Sequence, residues 1–263
     1  MTSTSIVGST GLVGSHILNI LLSHPSISTI HSLSRRSPPE STTTSTRLHP
    51  LISEDTKSWS TLLSSISPPP SIFFSALGTT KAQAGSIEAQ RKIDLELNLE
   101  LARTFANASP GSKSDGKDGK DENNQENNKE NNKIYILIST HNANATSIIP
   151  YSKMKGELED KIIALQDSFK HVIIVRPGLI VGERNDSRPA EFVMRKVAGW
   201  AGWAGAGFKD FWAQDAGVIA RAAVNAGLRA LEGRDADGNE IPRVWVLGQG
   251  DIVRLGREEW KGE

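Results

Sequence analysis

Short apolar runs alternate with stretches of helical periodicity along the chain, and that alternation predicts the elements. Ile6 and Val7 form an apolar strand that runs into Gly8, Gly11 and Gly14. Leu12, Val13, Ile17, Leu18, Leu21 and Leu22 then recur at helical spacing, an amphipathic helix ended by residues 23–25. Residues 29–33 read as a second strand and Leu48–Ile52 as a short third one. Residues 55–66 form a helix carrying Trp59, Leu62, Leu63 and Ile66, stopped by Pro68, Pro69 and Pro70. Residues 71–77 are a buried-type strand that ends in Gly78-Thr79-Thr80. Residues 87–107 read as one long helix with Ile93, Leu97, Leu101 and Phe105 on a single stripe.

Composition then breaks. Residues 109–133 are almost wholly Gly, Ser, Lys, Asp, Glu, Asn and Gln. Such a segment buries no apolar surface, so a disordered insertion in a surface loop is expected. Strand signals resume at once with Ile134–Ile138, whose unbroken apolar run fits a central parallel strand ending at Ser139-Thr140. Tyr151-Ser-Lys-Met-Lys155 opens a helix behind Pro150, and residues 172–175 form another buried strand ending in Arg176-Pro177-Gly178. Residues 215–231 are a helix, 235–239 a turn and Val244–Leu247 a last strand. Strand and helix alternating in this way predict an α/β fold, a doubly wound (Rossmann-type), mostly parallel sheet. The expectation is a single domain over 1–263 with a small C-terminal substrate-side lobe over 183–240.

Composition narrows the function classes. With 263 residues, 37% hydrophobic and 23% charged, the chain supports a sizeable core. It has no cysteine, which excludes disulfides and thiolate metal sites. The formal net charge is +0, and a nucleic-acid partner is disfavoured. No apolar run approaches the ~20 residues of a membrane-spanning helix. No removable presequence is expected either, because the first strand starts within a few residues of Met1. Six histidines, His16, His24, His31, His49, His141 and His171, show no ligand spacing with carboxylates, so no metal site is expected.

The glycines carry the first chemistry. A pyrophosphate approaches a backbone only where side chains are missing. Gly8 allows the tight turn out of the strand, Gly11 brings the main chain near the phosphates, and Gly14 lets the helix pack on the strand. Ser9, Thr10, Leu12 and Val13 complete a loop at a helix N-terminus, where unpaired N–H groups face an anion. The spacing is Gly-x-x-Gly-x-x-Gly, not the standard Gly-x-Gly-x-x-Gly, and a Gly-rich turn of any α/β protein also fits it. After the second strand comes Ser34-Arg35-Arg36. In a dinucleotide fold an acidic residue there bonds a free ribose 2′-hydroxyl, whereas arginine accommodates a 2′-phosphate. The first acid is Glu40, beyond two prolines, so NADP(H) is expected over NAD(H). A solvated pair of loop arginines is the alternative. Leu77 and Gly78, and Pro177 and Gly178, stand at further strand ends that face a cofactor by topology.

Tyr151 and Lys155 are four apart and share a helix face. A phenol titrates at about 10 in isolation and serves as acid or base near neutrality when a cation lowers that value. Lys155 supplies such a charge and reaches toward the nicotinamide ribose. Ser139, at a strand end, would hold a substrate carbonyl oxygen where charge changes in hydride transfer. A buried aromatic beside a solvated lysine produces the same Tyr-x-x-x-Lys spacing. The order of all these features along one chain is what argues against chance.

With these residues in hand, the chain resembles an atypical or extended short-chain dehydrogenase/reductase. It is most similar to the fungal found-in-mitochondrial-proteome family, related to the mammalian Tat-interacting oxidoreductase. The likeness rests on Gly8-Ser-Thr-Gly11-Leu-Val-Gly14, Ser34-Arg35-Arg36, Leu77-Gly78-Thr79-Thr80 and Tyr151-Ser-Lys-Met-Lys155-Gly156-Glu157. It continues through Arg176-Pro177-Gly178 to Arg184 and Ser187-Arg188-Pro189. The resemblance implies an NADP(H)-binding fold with Ser139, Tyr151 and Lys155 as the triad, acting on a small-molecule carbonyl or alcohol. It also implies peripheral attachment to the mitochondrial outer membrane, on its cytosolic face. One feature departs from the pattern. Reductases of the superfamily often carry an asparagine that completes a proton relay, and of Asn98 and Asp94 in the matching helix neither stands out. A non-enzymatic, NADP(H)-loaded scaffold or regulatory module is therefore the alternative.

Glu183, Arg184, Asp186 and Arg188 fit a substrate cleft or a solvated loop. Trp200, Trp203, Phe208, Phe211 and Trp212 sit among glycines. They fit a packed lobe, the wall of an apolar pocket, or a membrane-surface patch.

Overall fold

The computed structural model describes residues 1–38, 43–108, 132–181 and 213–262. Glu40, most of the low-complexity insertion, the 183–188 charges and the 200–212 aromatics lie outside the described residues.

Seven strands form one parallel sheet in the order β3-β2-β1-β4-β5-β6-β9. They are β1 (Thr2–Val7), β2 (Ile27–Ser34), β3 (Leu48–Ile52), β4 (Ile72–Ser75), β5 (Ile134–Ile138), β6 (His171–Val175) and β9 (Val244–Leu247). The order reverses direction between β1 and β4, where Val7 pairs with Ser75. A crevice opens there, outside the carboxyl ends of the strands. A separate parallel pair, β7 (Leu179–Val181) with β8 (Ala213–Asp215), was not legible as strand signal; three-residue strands leave too little periodicity.

Both faces of the sheet are covered, as its continuous apolar strands require. Side chains alternate between the faces. Ile6, Phe74 and Ile136 point to one side, under α1 (Leu12–Ser23) and the long C-terminal helix Ala216–Glu232. Val7, Phe73 and Tyr135 point to the other, under α2 (Trp59–Ser64) and helices between β4 and β6. The helix Ala216–Glu232 packs along α1 within the sheet's own core. Asp215 caps it, its Oδ1 accepting from Gly217 N at 2.9 Å and Val218 N at 3.1 Å.

The expected single helix over 87–107 is interrupted. It follows a short α3 (Lys81–Ala84) and runs as α4 (Ile87–Arg91), a π-helical turn (Lys92–Leu97) and α5 (Asn98–Asn107). The extra residue of a π turn rotates the register, so Asp94, Leu95 and Asn98 turn inward while Ile93 is only half-buried. Past β5, α6 (Pro150–Ile163) begins with Pro150 in its first turn, where no backbone N–H is missed. The chain ends in α7 (Ala216–Glu232), β9, and α8 (Gln249–Val253), which continues as a π turn over Arg254–Glu258.

A ring quartet locks α5 to the sheet. Phe73 of β4 lies 5.5 Å from Tyr135 of β5 and 5.3 Å from Phe105 of α5, and Phe169 closes the set at 5.5 Å from Tyr135 and 5.8 Å from Phe105. All four are fully buried. Phe105→Ala should therefore cost about 3–5 kcal/mol. Urea unfolding checks this; a loss under 1 kcal/mol would show that the quartet does not hold the helix.

Candidate active site

The residues expected to carry chemistry leave from one edge of the sheet. Pairing of Val7 with Leu33 and Ser75, of Ser75 with Leu137, and of Ile138 with Val175 aligns the carboxyl ends of β1, β2, β4, β5 and β6. Gly8, Arg35 and Ser139 follow those ends directly, and Leu77 and Pro177 come two residues after theirs.

At the switch point the chain turns at Gly8 with φ +81. A Cβ on Gly8 would lie 2.4 Å from the Ala76 carbonyl oxygen, and one on Gly14 would lie 2.1 Å from the Gly8 carbonyl oxygen. Loop, helix and β4 exit are thus in backbone contact. Gly11 is the N-cap of α1, and no side chain caps that helix, so its first N–H groups have no side-chain partner. Ser9 is buried with its Oγ 2.7 Å from Ser32 Oγ, which leaves only its backbone for the crevice. Thr10 is exposed, Leu12 half-buried and Val13 packed into the core. A bare helix N-terminus approached only by main chain is what a dinucleotide pyrophosphate requires, and these residues fit one.

Arg35 and Arg36 are both exposed at the end of β2. Ser34 Oγ donates to Arg36 O at 2.6 Å, fixing the backbone of the pair. On the far side of the crevice, Leu77 is half-buried and Gly78 exposed. Asp94 Oδ1 accepts from Thr79 N at 2.7 Å and so shapes this exit. Pro177 and Gly178 are held from elsewhere. Pro177 O accepts from His141 N at 2.8 Å, and Gly178 N donates to Gln214 Oε1 at 3.2 Å. Gln214 is buried and donates from Nε2 to Gln249 O at 3.0 Å. Nothing in the sequence around Gln214 distinguished it, because its partners come from two segments remote from it.

Ser139 is buried, and its hydroxyl has no hydrogen-bond partner among the described residues. A buried polar atom without a partner costs free energy unless a ligand completes it. Its N–H donates to Val175 O at 2.8 Å, which fixes the residue at the β5–β6 boundary. Lys155 is 3% exposed, and its Nζ donates to Ile138 O at 3.5 Å, one residue from Ser139. Burial pulls this ammonium below its ordinary range, while the charges of Asp94 and Glu159 oppose the fall. Tyr151, one turn earlier, is 41% exposed. Lys155 was expected to draw its phenol down. In the structure desolvation, and then the charge of Asp94, push it up to about 12.

Two buried carboxylates act on the lysine through their charge. Glu159 Oε1 and Oε2 both accept from Arg176 Nε at 3.1 Å, and Arg176 NH2 also bonds Oε2. That bidentate pair joins α6 to the end of β6 and raises the Arg176 guanidinium further. Asp94 is the second, and burial raises its carboxyl. Asn98, the asparagine in the matching helix, is wholly occupied. Its Oδ1 meets Ser75 Oγ, and its Nδ2 faces Leu77 O at 3.4 Å, Ile93 O at 3.2 Å and Asp94 O at 3.1 Å. The π turn turns both residues inward, a placement that sequence spacing does not reveal.

Comparison with known proteins identifies the family and the fold. The HIM1 family model matches residues 52–198. Protein fmp52-1, mitochondrial, of Aspergillus terreus is 46% identical over 258 residues, covering 98% of this chain and 100% of that protein. Protein fmp-52, mitochondrial, of Neurospora crassa is 44% identical over 266 residues, covering 99% and 97%. Among solved structures, a short-chain dehydrogenase/reductase from Saccharomyces cerevisiae superposes with TM-score 0.61 at 12% identity, covering 94% of this chain and 96% of that one. A UDP-glucuronic acid 4-epimerase from Bacillus cereus in complex with NAD superposes with TM-score 0.60 at 16% identity, covering 94% and 77%. At such identities these structures share the fold. The similarity to the Aspergillus and Neurospora proteins runs the length of the chain, which belongs to the HIM1/FMP52 family and has the Rossmann-like fold of short-chain dehydrogenases/reductases.

Proposed function

We propose that the protein is an NADP(H)-dependent oxidoreductase acting on a small-molecule carbonyl or alcohol. The single observation that carries this reading is the convergence of a side-chain-free helix N-terminus, an unpartnered Ser139 hydroxyl and the Tyr151/Lys155 face at one sheet edge. NADP(H), when bound, supplies or accepts the hydride. The first turn of α1 holds the pyrophosphate, and Gly8 and Gly14 keep that approach clear. Arg35 and Arg36 take the 2′-phosphate. Leu77, Gly78, Pro177 and Gly178 line the remaining walls. Ser139 positions the carbonyl oxygen, and Tyr151 gives or takes the proton there. Lys155, fixed near the end of β5, keeps a cation beside the phenol.

The family members compared above carry the word mitochondrial in their names. No helix among the described residues is long and apolar enough to cross a membrane. The reading extends to a peripheral protein of the mitochondrial outer membrane facing the cytosol. Alkaline carbonate should release it from isolated mitochondria, and external protease should digest it while the organelles stay intact. Protection from that protease would rule out the cytosolic face.

Calorimetric titration with NADPH and NADH separates the cofactors. NADPH should bind more tightly, and Arg35→Ala or Arg36→Ala should weaken it by about tenfold while leaving NADH unchanged. Equal affinities in the wild-type protein would remove the role of the two arginines. Tyr151→Phe should leave NADPH affinity intact and lower carbonyl turnover by about 100-fold or more. A second reading, an NADP(H)-loaded scaffold, is favoured by one observation: the Asn98 amide is spent on backbone and Ser75. NADPH binding with no turnover across a carbonyl panel would select it.

A further inference from the structure

Gly156 follows Lys155 directly and stands inside the 14-residue helix α6, where glycine is a poor helix former. Its place there has a steric reason. A Cβ at position 156 would lie 2.1 Å from Ala145 N, 2.3 Å from Asn144 C and 2.7 Å from Asn144 Cα, all of them main-chain atoms. No change of side-chain rotamer relieves such a clash. Asn144 N also donates to Ser152 O at 3.0 Å, and Ser152 lies one turn before Gly156 on the same helix face. The main chain of residues 144–145 therefore rests directly on α6.

The segment held in this way is the one that joins Ser139 to Tyr151. It buries little of itself: His141, Asn142, Asn144, Thr146, Ile148 and Ile149 are all exposed. Hydrogen bonds hold it instead of apolar packing. Ser139 N donates to Val175 O and His141 N to Pro177 O, each at 2.8 Å, which fixes its start to the end of β6. Asn144 Oδ1 accepts from Thr146 N at 2.9 Å and Thr146 Oγ1 at 2.8 Å, and Asn144 O accepts from Ser147 N at 3.0 Å, so residues 144–147 form a tight turn. Helix α6 then begins, and Lys155 Nζ reaches back to Ile138 O at 3.5 Å. The chain from Ile138 to Lys155 thus closes on itself, and the contact of residues 144–145 with Gly156 braces it across the middle.

We infer that Gly156 is a positioning residue: by admitting the main chain of Asn144 and Ala145 onto α6, it holds residues 140–149 in place and so sets where the Ser139 hydroxyl stands relative to the Tyr151 phenol. This rests on the reading of Ser139, Tyr151 and Lys155 as the reacting groups.

The test is Gly156→Ala. Alanine is the better helix former, so α6 itself is not weakened, while residues 144–145 must move off it. Hydrogen–deuterium exchange of peptides covering 140–149 should quicken by about tenfold or more, with peptides from β5 and from residues 158–162 unchanged. NADPH affinity, measured by calorimetry, should stay within about twofold of wild type. The kcat for carbonyl reduction should fall by about tenfold or more while the carbonyl KM stays within about threefold. A glycine needed only for folding would instead quicken exchange across the whole sheet and weaken NADPH binding with it, and that result overturns the inference. Unchanged exchange over 140–149 also overturns it, as does a loosened segment with the wild-type kcat. If Gly156→Ala does not fold, Asn144→Ala removes both bonds from Thr146 and leaves position 156 bare. It should loosen the same segment and lower kcat with NADPH binding intact; a loosened segment with kcat unmoved overturns the inference again. A wild-type protein without turnover removes the oxidoreductase reading and the catalytic part of this one, whereas the exchange result still decides whether Gly156 holds the segment.

Discussion

The organisation of this protein depends on one backbone contact. The Gly8 carbonyl sits where any side chain at position 14 would have to be, and the Ala76 carbonyl sits where one at position 8 would have to be. Without both glycines, α1 could not close onto β1 and β1 could not lie tight against the β4 exit. That contact falls where strand order reverses, the one place in a doubly wound sheet where two chains leave in opposite directions and open a crevice. Everything assigned to chemistry is arranged around it.

From that contact a chain of polar groups leads across the sheet edge. Asn98 and Asp94 hold the backbone of Leu77 and Thr79, and Lys155 reaches the Ile138 carbonyl beside Ser139. The π turn makes this possible, because it rotates Asp94 and Asn98 inward, beside Gln90, from a helix whose other inward positions are apolar. Burying these groups carries a cost that fold stability alone does not require. Such costs gather where a protein needs charge placed against charge.

The same groups modify the expectation for Tyr151. A lysine one helical turn away suggests a phenol drawn toward neutrality, yet desolvation and Asp94 hold it up to about 12. The lysine is itself buried, and the charge of Asp94 opposes its effect at the phenol. Spacing along one helix identified the partners. It could not reveal the carboxylate facing them from another.

The sequence by itself determined the alternation of elements and much of their extent. Ile134–Ile138 begins and ends where its apolar run does, because a strand buried on both faces has no polar position within it. It also determined the glycine loop, the basic end of β2 and the Tyr/Lys face, since each depends on residues close in sequence. Tertiary structure alone decided what those groups meet. The Glu159–Arg176 pair, the Gln214 bridge and the Asp94–Thr79 bond each join separate elements of the fold. Local periodicity carries no record of such contacts, because burial and charge at these positions are set by neighbours that only the folded sheet brings together.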